Sequence, residues 1–196
     1  NQTLDDGRRK FFDDDQFNND VDFSFKDLYF ALNYRIRTGI FTIDPGLTLH
    51  FYDNNNTQLG QTYSKDISDI RPNLRVNMQF KKNENLRFTY RKNTQFTDVN
   101  NISEGYVFNN YNSIFRGNRQ LEAAIVNSYN LNYRSINQFT FTNIFSNISY
   151  SKRENSIQSR AAIDGINSVR TADNSIFPRE TYSARARLDK RFKNIK

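Results

Sequence analysis

Arg35, Arg37, Arg75, Arg87, Arg91, Arg134, Arg185 and Arg187 alternate with large apolar neighbours, and Asn, Thr and Gln fill many of the positions between them. Guanidiniums set out at that spacing offer forked hydrogen bonds to anionic or sugar-like ligands. His50 is the single histidine, with Asp44 and Thr48 near it in sequence. A catalytic or metal-binding role would need partners that the spacing does not supply. Asp13, Asp14 and Asp15 suggest calcium at first sight, but Asn18 stands where an EF-hand loop needs glycine, so the run reads as a solvated acidic loop. Nothing matches a nucleophile elbow, a P-loop or a Gly-rich dinucleotide turn. The expectation is a chain with no catalytic residue, no metal site and no cofactor.

Composition narrows the class. The chain has 196 residues, no cysteine, 18 Phe, 11 Tyr and no Trp. Without cysteine there is neither a disulfide scaffold nor a thiolate metal site. The net charge of +7 raises nucleic acid as a partner, but Lys and Arg are spread along the chain, without a basic block or a recognition helix, so no nucleic-acid role is expected. Mean hydropathy is −0.83, and no run approaches the roughly 20 apolar residues of a spanning helix. Transmembrane barrels escape that test, because only alternate residues of each strand need be apolar. The first residues show no signal peptide, which suggests a mature form or a piece of a longer chain.

The elements that would carry the arginines are strands. In residues 71–91, Leu74, Val76, Met78 and Phe80 alternate with Arg75, Asn77, Gln79 and Lys81. After the polar turn Lys82-Asn83-Glu84-Asn85, Leu86, Phe88 and Tyr90 alternate with Arg87, Thr89 and Arg91. Period two puts the two sets on opposite faces of a pleated hairpin. The same pattern starts near Val21 and sets Phe30, Leu32, Tyr34 and Ile36 against Ala31, Asn33, Arg35 and Arg37. It continues after Thr38-Gly39 through Phe41, Ile43, Leu47, Leu49 and Phe51, with irregular pairing expected at Pro45, which lacks a ladder donor. A fifth run holds Tyr129, Leu131 and Tyr133, with Arg134 on the other face. A sixth, 139–150, changes phase and calls for a bulge near Asn143. A seventh sets Tyr182, Ala184, Ala186 and Leu188 against Arg185 and Arg187.

The connections then sort by length. Those near residues 38, 83, 136 and 193 are short, whereas 1–20, 53–69, 92–127 and 152–180 are long and polar. In an antiparallel meander alternate connections share an end, so all short turns fall at one rim and all long loops at the other. Outer-membrane barrels show that asymmetry, with short periplasmic turns and long extracellular loops. Loops of this length exceed the usual connections of compact domains. The expected fold is all-β: an antiparallel transmembrane β-barrel, with about seven to eight strands present. Phe30, Leu32, Phe41, Leu47, Leu49, Leu74, Val76, Met78, Phe80, Leu86, Phe88, Tyr129, Leu131 and Tyr133 would face lipid. Arg35, Arg75, Arg87, Arg91, Arg134, Arg185 and Arg187 would face the lumen. A soluble β-sandwich would reverse that logic, and alternation alone does not choose.

Residues 71–91 resemble paired strands of the Bacteroidota outer-membrane beta-barrel family, the barrel of TonB-dependent transporters and their SusC-like relatives. Phe115-Arg116-Gly117-Asn118-Arg119-Gln120-Leu121-Glu122, followed by Ser128-Tyr129-Asn130-Leu131-Asn132-Tyr133, is similar to the Gly-Asn-x-x-Leu-x-Pro-Glu element that precedes a barrel strand in those receptors. Here Glu122 follows Leu121 directly and the Pro is absent. The Gly-Asn pair would set a tight turn with Leu121 tucked beneath it. The resemblance implies a barrel of about 22 strands, of which this chain would be a partial domain lacking the plug, the TonB box and the closing strand. It implies import of a substrate across the outer membrane, with the lipid bilayer and lipopolysaccharide as surroundings and TonB, a surface lipoprotein or other outer-membrane subunits as partners. The alternative is a transporter-like barrel serving as a structural or scaffold subunit of an outer-membrane complex.

Overall fold

The computed structural model describes residues 2–3, 9–10, 20–164 and 167–192. Asp13–Asp15 and the turn expected near residue 193 lie outside the described residues. In chain order the elements are β1 (Gln2–Thr3), β2 (Arg9–Lys10), β3 (Val21–Asn33), β4 (Ile36–Thr38), β5 (Phe41–Gln58), β6 (Gln61–Lys81), β7 (Glu84–Gln95), α1 (Val99–Ile102), β8 (Val107–Asn110), β9 (Ser113–Arg116), β10 (Ala124–Asn137), β11 (Thr142–Glu154), β12 (Ile157–Asp164), β13 (Asn167–Asn174) and β14 (Arg179–Lys190).

The long strands form one antiparallel meander, β14-β11-β10-β7-β6-β5-β3, with β4 continuing β3 against β5. β3 and β4 keep the same register on β5, and the gap between them, at Tyr34 and Arg35, lies opposite Pro45 and Asp44. Pro45 has no N–H to give, so only its carbonyl is used, accepting from the Tyr34 amide at 3.0 Å. Pro45 therefore interrupts the ladder there, as its missing donor predicts. Gly46 sits between Asn33 and Asn73, whose amides fill the space a Cβ would need.

Cross-strand register gathers the apolar set on one face. Phe41, Met78, Leu86 and Tyr133 make one row, Ile43, Val76, Phe88, Leu131 and Ile148 the next. Phe30, Leu49 and Ile70 make a third, and Leu32, Leu47 and Pro72 a fourth. Phe80 is the extra residue where the register slips between Gln79 and Lys81. Beside these rows, Tyr90, Tyr129, Tyr150 and Tyr182 form a ladder across four strands, with ring centroids 4.8, 5.7 and 4.7 Å apart. On its short-turn side the neighbours are Phe88, Leu131, Ile148 and Ala184; on its loop side they are Lys92, Asn127, Lys152 and Glu180. Two of the phenols reach toward the loop side, Tyr90 to Asn127 Oδ1 at 3.0 Å and Tyr182 to Glu180 Oε2 at 2.8 Å.

Two expectations are corrected. Residues 53–69 are not a long loop: β5 and β6 run on as paired strands to Gln58↔Gln61, closed by Leu59 and Gly60. Both turn residues have positive φ, +51° and +70°, the geometry of a two-residue type I′ hairpin. The segment lacks the apolar alternation that marks a strand because both its faces are polar, yet its backbone pairs regularly. In the sixth run, the phase change at 139–144 comes from a turn, not a bulge. Phe139 and Phe141 lie in the 138–141 turn, and the β10–β11 register is unbroken from Asn137↔Thr142 to Ile125↔Glu154. The turn occupies 138–141, a little beyond the connection expected near 136, and Asn137 Oδ1 caps it by accepting from the amides of Phe139 and Thr140.

The sorting of connections otherwise holds. Turns at Gly39–Ile40, Lys82–Asn83 and 138–141 share one rim; the other carries the tall β5–β6 hairpin and the connections 96–123 and 155–178. Those two connections fold on each other as a second sheet, β12-β13-β9-β8, in which β13 pairs β9 in parallel. The described core lies at this rim and not between sheets: the buried hydrophobic residues are Tyr52, Ile102, Ala124 and Ala172.

The hairpin tip is fastened to the 96–123 connection by Gln58. Its buried amide donates to the Ile102 carbonyl at 3.0 Å and accepts from the Glu104 amide at 2.8 Å. Replacing Gln58 with Ala leaves both backbone groups without those bonds, at a cost of about 1–3 kcal/mol. Limited proteolysis should then cut within 96–123 at least tenfold faster, while the β6–β7 turn stays resistant.

Candidate functional site: an arginine-bearing wall and a cavity at its rim

Arg75, Arg87, Arg91, Arg134, Arg185 and Arg187 share the face opposite the apolar rows. Arg75 pairs with Asp44 and Thr89, Arg87 with Asn77 and Asn132, Arg91 with Asn73 and Ser128, Arg134 with Asn85 and Phe145, and Arg185 and Arg187 with Asn147 and Phe145. Arg35 reaches the same face through an ion pair with Asp44, Nε to Oδ1 at 2.5 Å. The structure divides them into two open concavities. One, of about 960 Å³, is bounded by Arg87, Arg134, Arg185 and Arg187. The other, of about 1000 Å³, takes in Arg35, Arg75 and Arg91 together with Arg71 and His50. Among the described residues no carboxylate comes within ion-pair distance of Arg87, Arg91, Arg134 or Arg185, so this wall presents uncompensated positive charge. Between the first four arginines an amide ladder links the strands: Asn147 Nδ2 donates to Asn130 Oδ1 at 2.6 Å and to Asn132 Oδ1 at 2.7 Å.

Phe145 lies on this polar face, directly between Arg134 and Arg187. The sequence reading passed it over because it adjoins Ile144, so two apolar residues fall on successive positions. His50 has a structural part. Its Nδ1 lies 2.9 Å from Asp27 Oδ1, and its ring stacks on Tyr52 at 5.3 Å. Asp44, its neighbour in sequence, is instead engaged by Arg35.

Above the wall, β6 and β7 stop pairing beyond Asn73↔Arg91, and β7 stays with β10. Asp69 closes the seam, meeting Arg71 Nε at 2.7 Å, Lys92 Nζ at 3.2 Å and the Thr94 hydroxyl at 2.5 Å. A cavity of about 360 Å³ opens here between the inner face of the tall hairpin and the loop cluster, with Phe23, Phe25, Tyr63 and Phe96 in its lining. Phe96 stands edge-on to Phe25 and Tyr52, at 5.0 and 4.6 Å. The residues that follow the Gly-Asn turn supply its far wall. Gly117 donates to the Ser103 carbonyl and Asn118 to the Asn101 carbonyl, both at 2.7 Å, while Asn118 Oδ1 accepts from the Gln120 amide. Leu121 and Arg119 line the cavity as this turn leaves it. Asn54 Oδ1, Asn56 Oδ1 and Arg119 Nε, in three residues of the same lining, are buried without a hydrogen-bond partner. Such groups each cost about 1–3 kcal/mol, and no signal in the sequence set them apart from the other polar residues of 53–69 and 92–127.

A profile of the outer membrane protein beta-barrel family matches residues 2–178. The chain belongs to that family. Its surroundings are therefore the outer membrane, and its short-turn and long-loop rims are the periplasmic and extracellular ends of such barrels. Solved transporter and receptor structures share the fold. The FrpB iron transporter of Neisseria meningitidis (F3-3 variant) superposes with a TM-score of 0.59 at 13% identity, over 89% of this chain and 25% of its own. The siderophore receptor PirA of Pseudomonas aeruginosa gives 0.57 at 9%, over 85% and 39%. PirA of Acinetobacter baumannii gives 0.51 at 8%, over 88% and 35%. The chain thus spans between a quarter and two-fifths of the length of these structures. No curated protein matches it in sequence.

Proposed function

We propose that this chain is a section of the wall of a TonB-dependent outer-membrane transporter, with its apolar rows against lipid and its arginine face toward the lumen. The observation that carries the reading is an apolar face with no other described residue packed over it, backed by a concave polar one. Ile148, flanked by strands on both sides, remains 52% exposed, and Ile70, paired with Leu49, 56%. A water-soluble protein does not leave so broad an apolar surface uncovered. The tyrosine ladder supports it, since such rows of aromatic rings mark the membrane–water boundary in barrels. From Ile70 to Met78 is about 27 Å along β6, or about 20 Å of height at the usual tilt, close to the apolar band of this class.

In this reading the barrel imports a substrate: the extracellular hairpin and loop sheet meet it, and the arginines line the path inward. TonB and a surface lipoprotein are the proposed partners, and lipopolysaccharide the outer-leaflet neighbour. A structural subunit with the same wall would need no energy source, so loss of substrate uptake in cells lacking TonB separates the two; unchanged uptake would defeat the transport reading. The faces are tested by single cysteines. Those replacing Phe41 or Leu49 should resist a membrane-impermeant maleimide in intact outer membranes, and those replacing Arg87 or Arg185 should react with small hydrophilic reagents. The opposite pattern would mean the faces are reversed.

A further inference from the structure

The apolar face ends in opposite ways at its two rims. At the long-loop end the cations beyond the apolar rows are already answered: Lys26 by Asp53 at 3.1 Å, Lys92 by Asp69 at 3.2 Å and Lys152 by Glu154 at 2.6 Å. Asp53 also lies directly opposite Asp66. At the short-turn end the balance is reversed. Lys81 and Glu84 stand in one row with Ser135, Ile144 and Leu188, and Lys190 stands in the next with Asn137 and Thr142, so both lysines continue the apolar face. Glu84 takes Lys81 at 3.5 Å, and Asp189, on the lumen side, takes Arg187 at 2.9 Å. Among the described residues no carboxylate comes within ion-pair distance of Lys82, Lys190 or Arg191.

Backbone bonds join these connections into one belt. The Ile136 amide donates to the Asn83 carbonyl at 2.9 Å, and the Arg191 amide donates to the Phe141 carbonyl at 3.0 Å. The 138–141 turn is thereby fixed between the Lys82–Asn83 turn and the end of β14. Phe139, in this turn, is 96% exposed, and Phe192 is 66% exposed with Lys190 Nζ 5.2 Å from its ring centre. Leading away from Ile144 and Leu188, the surface thus passes from aliphatic side chains to aromatic rings and unanswered cations. A phospholipid has the same order, from acyl chain through the ester region to phosphate, and long basic side chains reach along it to the headgroup.

We infer that the short-turn rim from Lys81 to Phe192 is a binding surface for anionic phospholipid of the periplasmic leaflet. Lys82, Lys190 and Arg191 meet the headgroup phosphates, and Phe139 and Phe192 lie at the ester level. A zwitterionic lipid brings its own cation to each phosphate, so uncompensated basic charge selects headgroups that are negative overall. The inference rests on the apolar rows facing lipid and not on transport, and the maleimide pattern at Phe41 and Leu49 decides that orientation separately.

Electron paramagnetic resonance of spin-labelled lipids, with the protein reconstituted in phosphatidylcholine bilayers, measures the selectivity. Phosphatidylglycerol should be favoured over phosphatidylcholine at least threefold. Lys82→Gln, Lys190→Gln and Arg191→Gln together should bring the ratio close to one. Lys82→Arg with Lys190→Arg should keep the preference, and so should Lys26→Gln with Lys152→Gln at the opposite rim. Inorganic phosphate at constant ionic strength should not displace the labelled lipid. A fluorophore on Phe139→Cys should be quenched by lipids brominated near the headgroup and not by aqueous iodide. Heat-modifiable migration confirms that each variant is folded. The inference is overturned if the unaltered protein shows no preference, if the triple Gln variant keeps it, or if phosphate abolishes it, the mark of a free-anion site. Quenching of the Phe139→Cys probe by iodide alone would also overturn it and leave the rim to a periplasmic protein.

Discussion

Val76→Arg is expected to destabilise the barrel by about 2–4 kcal/mol, and Ser149→Arg by less than about 1 kcal/mol. Val76 sits within the apolar rows, between Ile43 and Phe88 on the flanking strands and inside the Met78 end of the band. An arginine there puts a guanidinium into hydrocarbon with no acceptor at its own level, and the cost rises with depth from the interface. Ser149 is on the other face, between Asn130 and Ser183, where an arginine joins a surface already rich in them. Denaturant titration of the protein refolded into phospholipid vesicles measures both. Equal costs at the two positions would remove the assignment of faces, since only a lipid-facing side penalises charge so strongly.

Gly117→Ala is expected to open the loop cluster without dissolving the wall. A Cβ at Gly117 would run into the backbone carbonyls of Ser103 and Asn101, the groups that Gly117 and Asn118 bind. Backbone cannot swing aside as a long side chain can, so relief requires the turn to leave its seat, and both hydrogen bonds go with it. Overpacking of this kind costs about 1–3 kcal/mol. Amide hydrogen exchange should accelerate at least tenfold in 99–121 while β6, β7 and β10 keep their protection. Exchange unchanged in 99–121 would show that the turn tolerates the methyl group and that glycine is not demanded by close approach.

The strands that cross the apolar band were legible because two solvents imprint them. Wherever one face meets an apolar phase and the other a polar one, side chains alternate, and Leu74 to Phe80 or Leu86 to Tyr90 can be read directly. Above the band both faces carry polar side chains, even where the inner one is folded against the loop cluster. Asn54, Asn56, Thr57 and Gln58 carry no alternation, so a regular hairpin reads as a polar loop. Phe139 and Phe141 misled for the converse reason: turn residues at the short rim are apolar without being in a strand, and they imitate a change of phase.

The sequence by itself determined the two faces, the antiparallel meander, the sorting of connections, and the wall on which each of Arg35, Arg75, Arg87, Arg91, Arg134, Arg185 and Arg187 stands. Those features are local, set by period two and by turn residues. Only the tertiary structure decided that the arginines fall into two concavities, that Phe145 stands among them, and that the loops are folded into a sheet. It alone showed the rim cavity. Gln58 meets Ile102 across 44 positions and Tyr90 meets Asn127 across 37. Contacts that distant leave no periodic trace, because they depend on which strands lie side by side once the sheet has formed.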